Sequence, residues 1–457
     1  MRRIAALGIL ILSGCSMVPA APLPPLGEAA TAPLLDETAV RAALASGANP
    51  LLAGVEIDLS DGVDPVELGA LAVVLNPELA ALRLRRAEAR AGVLTARLLP
   101  NPELDGSAAE PSGRGSSGLS TAYDLALSLS TRRILTRGSR TRAADARARA
   151  VDLEIVWREW ELAQRARLAA LQLGWLRVRD GIASRELELE TNTTDSLERA
   201  VASGDATITQ LGVQRASLET VRSAVADLDR LRAKARAQIT ALLGGASWSQ
   251  LSLARPDPPR AFPPRRSLAA LLPDCLAQRI DLAALRAGYS AEEADLRTAI
   301  LEQIPDVRVG ISSTRDEASL KFFGGAVSLG IPLFDRGQGR IARRRATRAR
   351  LAAEYRARIL SVRSSLEGVL DLLSVTEARL PELRRSIERL TRIEAAEQAS
   401  AARGDIDLLS YQTVRLAIFD QRLRVASLAG ARAEAQVALD TACGTGLARQ
   451  AEESQAP

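Results

Sequence analysis

An internal repeat constrains this 457-residue chain more than any other feature. Leu99-Pro100-Asn101-Pro102-Glu103-Leu104 has a counterpart in Ile304-Pro305-Asp306-Val307-Arg308-Val309. Leu127-Ser128-Leu129-Ser130 matches Val327-Ser328-Leu329-Gly330, and Arg137-Gly138-Ser139-Arg140 matches Arg336-Gly337-Gln338-Gly339-Arg340. Ala202-Ser203-Gly204-Asp205 matches Ala402-Arg403-Gly404-Asp405, and Leu243-Gly244 matches Cys443-Gly444. The matches keep one order at a nearly constant offset, so whatever the first copy builds, the second builds again. The halves meet in a proline-rich stretch from Arg255-Pro256-Asp257-Pro258-Pro259 to Pro263-Pro264-Arg265-Arg266, which is extended and not helical.

Each half carries the same succession of patterns. A helix comes first, over about 68–98 and 276–303, with Leu71, Val74, Leu75, Leu79, Leu82 and Leu84 near one face. Asn76-Pro77 starts a new segment, Asn as cap and Pro at the first position. A proline ends the helix and two strands follow. Val307, Val309 and Ile311 alternate with Asp306, Arg308, Gly310 and Ser312. Tyr123, Leu125, Leu127 and Leu129 alternate with Asp124, Ala126, Ser128 and Ser130, and Phe323, Val327, Leu329 and Ile331 repeat the pattern. That is a period of two, with one apolar and one small or polar face. Loops at Pro111–Gly118 and Thr314–Ser319 separate the strands.

Long helices follow, from Ser139 to Ala202 and from Gln338 to Ala402. At 1.5 Å per residue each reaches about 95 Å. A Gly-Asp turn then reverses the chain into return helices over 206–243 and 406–443, with each Asp read as the cap of the next helix. Gly174, Gly181, Gly368 and Pro381 are expected weak points in the long helices.

Composition excludes several functions. The net charge of +5 alternates in sign along the helices and forms no basic patch, which argues against nucleic acid. There is no His, hence no Ser-His-Asp or Cys-His arrangement, no expected catalytic residue and, with no Cys-x-x-Cys, no recognisable zinc site. Cys275 and Cys443 are too few to read as a disulfide framework. Asp405 and Asp407 are either a metal or acid–base pair or helix caps, and the lack of a third ligand favours caps. Trp157, Trp160 and Trp175 read as helix packing, and Arg343, Arg344, Arg345 and Arg348 as a solvated face.

The N-terminus reads as an export signal: Met1-Arg2-Arg3, an apolar run from Ile4 to Leu12, then Leu12-Ser13-Gly14-Cys15. The last four residues resemble a bacterial lipobox, which implies lipidation of Cys15. Ser16 resembles an outer-membrane address. No later stretch reads as a membrane-spanning helix, so entry into a membrane requires strands in a closed barrel. Four strands cannot close one, and the smallest known barrels have about 8 strands, so two, three or four copies fit the geometry.

Two segments resemble a known family. Asn76-Pro77-Glu78-Leu79 through Leu99-Pro100-Asn101-Pro102-Glu103-Leu104 is similar to the first helix and strand of TolC-like outer membrane factors. Val327-Ser328-Leu329-Gly330-Ile331-Pro332-Leu333-Phe334-Asp335-Arg336-Gly337-Gln338-Gly339 resembles the strand-to-helix junction of their heavy-metal (cobalt-zinc-cadmium) efflux branch. The resemblance implies a mainly α chain with a small β part: duplicated long hairpins forming a periplasmic α-barrel, and four strands per chain in a trimeric transmembrane β-barrel. It implies a passive outer-membrane channel for tripartite efflux or type I secretion, without a cofactor and lipid-anchored in a Gram-negative outer membrane. Its expected partners are two copies of itself, a periplasmic adaptor, an inner-membrane pump of the RND type, and outer-membrane lipid.

On this reading 1–14 is the signal peptide, 15–66 the anchored linker and 67–254 the first repeat. Residues 255–267 are the proline-rich linker, 268–445 the second repeat and 446–457 a tail. Ser203, Gly204, Asp205, Arg403, Gly404 and Asp405 are the expected adaptor-binding tips. Ser410 and Thr413 occupy the positions where some relatives carry Asp rings that constrict the pore. Departures from the family include Arg132 and Arg133 near the expected membrane edge, and an aromatic girdle reduced to Tyr123, Phe322 and Phe323. The competing reading is a lipid-anchored coiled-coil adaptor or scaffold, but adaptors have one hairpin and this chain has two.

Overall fold

A computed structural model of the chain describes most of residues 62–246, 267–401 and 408–445, with short stretches between 21 and 58. Cys15, the 255–266 part of the linker, the 402–407 turn and the 446–457 tail lie outside the described residues. After a helical turn at Leu26–Ala29, the elements are α1 (Pro65–Leu75), α2 (Pro77–Arg97), β1 (Glu103–Ala109), β2 (Ala122–Ser130), α3 (Thr131–Ser203) and α4 (Ile208–Leu242). The second copy gives α5 (Leu268–Gln278), α6 (Ile280–Leu301), β3 (Asp306–Arg315), β4 (Lys321–Gly330), α7 (Gln338–Ala401) and α8 (Leu408–Cys443). The fold is mainly helical with one four-stranded sheet, and each half supplies the same parts in the same order.

The helix breaks have local causes. Asn76 accepts from the Glu78 and Leu79 N–H groups, Pro77 takes the first helical position, and α1 and α2 meet at 57°. The second copy breaks likewise at Arg279, so its first helix begins at 268 and not 276. Among the described residues no single helix is long and apolar enough to cross a membrane. The α1–α2 pair passes on composition alone, but α1 is buried, with Leu68, Ala70, Leu71 and Ala72 in a core shared with α3 and α4.

The sheet is antiparallel throughout, in the order β1-β2-β3-β4. Leu104, Leu127 and Ile311 fall in one register row and Leu129, Val309 and Val327 in another, so one face is apolar. Leu104, Leu127, Val309, Ile311, Val327 and Leu329 are all exposed on it. The opposite face carries Asp105, Ala126, Ser312 and Gly324 in one row. Gly310 sits where a Cβ would lie 2.2 Å from the Leu127 carbonyl oxygen, so β2 and β3 tolerate no side chain there. Phe322 pairs with Thr314, which pairs with Asp124; it therefore lies on the polar face and does not belong with Tyr123 and Phe323 as a girdle residue. The pleat decides this, since neighbours in a strand point to opposite sides.

The long helix of the first half starts at Thr131, directly after β2, and not at 139. No proline separates strand from helix there, and the Ser130 hydroxyl accepts from the Arg133 N–H as N-cap. Arg132 and Arg133 are consequently in the first helical turn. In the second half Pro332 and Gly337 intervene, Gly337 with φ 77°, and α7 begins at Gln338 as expected. Gly174 and Gly181 do not interrupt the 73-residue α3, nor Gly368 and Pro381 the 64-residue α7. One glycine costs about 1 kcal/mol in a helix, which a packed face offsets.

Near the sheet the helices pack in the order α2–α3–α6–α7; at the far end the order is α4–α3–α8–α7. Along the chain, edge strand β1 follows outer helix α2 and edge strand β4 leads into outer helix α7.

Candidate conduit wall and docking tip

The base of the sheet joins the helices through ions on the small and polar face. The Ser130 hydroxyl donates to Asp306 at 2.7 Å. Arg132 Nη2 lies 3.9 Å from Asp306, and Arg308 pairs with both Glu103 and Asp306. Arg132 thus has its carboxylate within the chain, and of the two arginines near the expected membrane edge only Arg133 is exposed. The Arg343–Arg348 run is also divided. Arg344 reaches Glu292 and Asp295 at 3.0 Å each and Arg348 reaches Glu293 at 3.1 Å, whereas Arg343 and Arg345 are exposed.

Midway along the helices the duplication closes on itself in two chemistries. Gly244 and Gly444 follow α4 and α8 with φ 67° and 69°. Four residues before each break stand Ala72 and Cys275. In the first half Ala72 and Leu243 share one core. In the second half Cys275 and Cys443 are joined by a disulfide across 168 residues. Two cysteines in so long a chain give no sign of this bond by their number. The repeat held the signal, since it aligns Cys443 with Leu243. Beside the bond, Arg279 forms a bidentate pair with Asp281 and stacks 4.5 Å from the Trp157 ring. Trp157 and Trp160 lie 4.7 Å apart, Trp160 is fully buried, and Trp175 packs against Gly430, so all three tryptophans are packing residues.

The first tip is a Gly-centred reversal. Gly204 has φ 85°, and the Asp205 N–H donates to the Ala200 carbonyl at 2.8 Å. Asp205 is not the cap of the next helix. It accepts from the Ser203 hydroxyl at 2.6 Å, and Thr207 caps α4 in a reciprocal pair with Gln210. An added Cβ at Gly204 would meet nothing within 4 Å, so the tip stands in open space. Arg403, Gly404, Asp405 and Asp407 lie outside the described residues. Exposed Ile208 is the first residue of α4 and exposed Leu409 the second of α8, two apolar side chains beside the tips that carry no signal of their own in the sequence.

Ser410 and Thr413 are exposed on α8, the Thr413 hydroxyl donating to the Leu409 carbonyl at 2.8 Å. The neighbouring residues on α8 behave differently. Gln412 and Arg415 are buried and tie the second hairpin to the first. Gln412 donates to Gln214, which itself donates to the Glu190 carboxylate at 2.6 Å and to Thr194 at 3.3 Å. Arg415 lies 2.7 Å from Glu186 and 3.5 Å from Glu190. Burial pushes the Glu186 carboxyl up; Arg415 opposes this and Glu190 adds to it. Glu186 and Glu190 stand four apart on α3 and so share a face, the one sequence signal this layer offered. Among the described residues no group of three His, Cys, Asp or Glu side chains is placed to hold a metal.

Comparison with known proteins places this geometry. Residues 271–445 match the family model described as outer membrane efflux protein. That segment carries the outer membrane efflux protein fold signature. It is 26% identical to the cobalt-zinc-cadmium resistance protein CzcC of Cupriavidus metallidurans, over 94% of each chain. Its fold is similar to that of CusC, with a TM-score of 0.69 at 20% identity over 86% of this chain and 97% of that one. It is similar also to the outer membrane protein VceC of Vibrio cholerae, with a TM-score of 0.69 at 16% identity over 83% of this chain and 96% of that one. Outer membrane efflux proteins are a channel family and not an enzyme family. The family model covers most of the second half of the chain.

Proposed function

We propose that the chain is one of three identical subunits of the outer-membrane channel of a tripartite efflux system, and that it conducts substrate passively. The observation that carries this reading is a sheet with two open edges standing on helices of 73 and 64 residues. Open edges of β1 and β4 leave unpaired backbone groups, and an exposed apolar face suits lipid and not water. Pairing β4 of one copy with β1 of the next satisfies both edges, and three copies give a twelve-stranded barrel. The same closure brings α2 and α7 of adjacent copies together and continues the helical wall. The tips then stand about 110 Å from the strands.

A periplasmic adaptor and an RND-type inner-membrane pump complete the system, the adaptor meeting Ser203, Gly204, Asp205, Arg403, Gly404 and Asp405, with Ile208 and Leu409 as apolar anchors. Ser410 and Thr413 face the aperture without charge, so the constriction is no acidic cation ring. The similarity to a cobalt-zinc-cadmium resistance protein makes divalent metal ions the first substrates to test. The anchor is an acylated Cys15, seated in outer-membrane lipid.

Native mass spectrometry in detergent tests the assembly: a trimer is expected, and a stable folded monomer overturns it. Mass spectrometry of the N-terminal peptide should find acyl chains on Cys15, and an unmodified N-terminus elsewhere refutes the anchor. Cysteines placed at Ser203 should crosslink to an adaptor, while those placed at Ser116 should not.

A further inference from the structure

Between α3 and α6, on the sheet side of the molecule, runs a groove of about 870 Å³. Arg142 and Arg149 of α3 and Arg286 of α6 line it. Elsewhere along these helices arginines meet carboxylates: Arg147 pairs with Asp295, Arg86 with Asp152 and Arg83 with Glu159. In the groove they do not. Among the described residues none of the three guanidiniums has a carboxylate within 4.0 Å, and the carboxylate that shares the groove, Asp145, is paired with Arg97 at 3.1 Å. Three cations therefore face one cleft with their charge uncompensated.

The cleft has a sequence cause. Ala146, Ala283 and Ala287 line it, and their small side chains leave the space that larger residues would fill. Arg142 and Arg149 are two turns apart on one face of α3, hence about 10 Å along the axis. Arg286 stands across the cleft on α6. Assembly does not cover it. The groove lies between the two inner helices of the α2–α3–α6–α7 set, whereas the free edge strands connect along the chain to the outer helices α2 and α7.

We propose that this groove is a binding site for a phosphate-bearing anion, with the three arginines as its ligands. Guanidinium forks match phosphate oxygens in bidentate pairs, and a cleft with low-dielectric walls concentrates the attraction. Arg142 and Arg149 lie about 17 and 27 Å along α3 from the strand end, which favours a soluble phosphate over a bilayer headgroup. The site is independent of the channel reading, because it belongs to the folded chain.

Isothermal titration of the purified full-length protein with inorganic tripolyphosphate at low salt tests it. The expected result is saturable binding that weakens with added salt, and weakens at least about tenfold in R142Q/R149Q/R286Q. The control R230Q, on α4 far from the groove, should bind as the parent does. A second arm measures binding to phosphatidylglycerol vesicles against phosphatidylcholine vesicles. Loss in that arm alone keeps the phosphate site and assigns its source to a lipid headgroup. Equal binding by the parent and the triple variant in both arms, or no binding by the parent in either, overturns the proposal. Circular dichroism and the oligomeric state of the triple variant should match the parent, since all three arginines are exposed. That control separates loss of the site from loss of fold, and neither outcome depends on transport.

Discussion

Arg415 lies 2.7 Å from Glu186, a bond between residues 229 apart in sequence that joins the second hairpin to the first. Glu190 approaches the same guanidinium at 3.5 Å, so one buried cation serves two buried carboxylates. Arg415→Met removes the cation and leaves the carboxylates facing each other. The expected cost is about 3–5 kcal/mol, read as a lower unfolding temperature of the assembled protein. Glu190→Gln should cost less, because Glu186 still holds Arg415. If both variants unfold with the parent, the layer does not hold the hairpins together.

The same layer gives a pH dependence. Burial, only partly offset by Arg415, raises the Glu186 carboxyl above its ordinary value of 4.5. The folded state then holds a proton on Glu186 more tightly than the unfolded chain does. This group's contribution therefore grows as pH falls through its raised value, is complete below 4.5, and is absent at higher pH. Glu186→Gln should remove that part of the slope. Denaturation curves of parent and variant across the acidic range check this, and parallel pH profiles would refute it.

The Cys275–Cys443 bond predicts a covalent contribution that the first repeat lacks. Replacing both cysteines with alanine should destabilise the second repeat by about 2–4 kcal/mol, the typical effect of a native disulfide. Cys275 is 3% exposed, so reductant should reach the bond only slowly in the folded protein, and both cysteines should be alkylated only after reduction and unfolding. Ala72→Cys with Leu243→Cys places the same pair at the equivalent positions of the first half. Free thiols at Cys275 and Cys443 of the native protein would contradict the assignment.

The sheet faces predict an asymmetry between adjacent residues. Leu127 lies on the apolar face and Ser128 on the other. Leu127→Asp should lower the amount of protein assembled in the membrane fraction, by a penalty of up to about 2 kcal/mol per copy. Ser128→Asp should leave it near the parent level. Equal losses at both positions would show that neither face meets lipid.

Gly204 predicts a separation of fold from function. Its φ of 85° makes a larger residue strained by about 1–2 kcal/mol, yet nothing within 4 Å would clash. Gly204→Trp should therefore fold and assemble while transport through the system fails. Loss of assembly together with transport would assign the residue to structure alone.

Much was legible in the sequence because it is local. The period of two in Leu125, Leu127 and Leu129, the Asn76-Pro77 break and the Gly204 reversal are each written within a few residues, and each formed where expected. The duplication extended the strand reading to the other half, where β3 and β4 formed, but not the helix break at Arg279. The start of α3 was misplaced because a capping serine, Ser130, is a weaker mark than a proline.

The sequence by itself determined the repeated order of helix, strand pair and long hairpin, since hydrophobic period and turn chemistry act over short spans. Only the tertiary structure decided which charges are spent. Arg344 and Arg147 find carboxylates on α6 while Arg142, Arg149 and Arg286 find none, and Cys275 finds Cys443 across 168 residues. The physical reason is that pairing depends on which faces of distant helices meet, and no period along the chain records that.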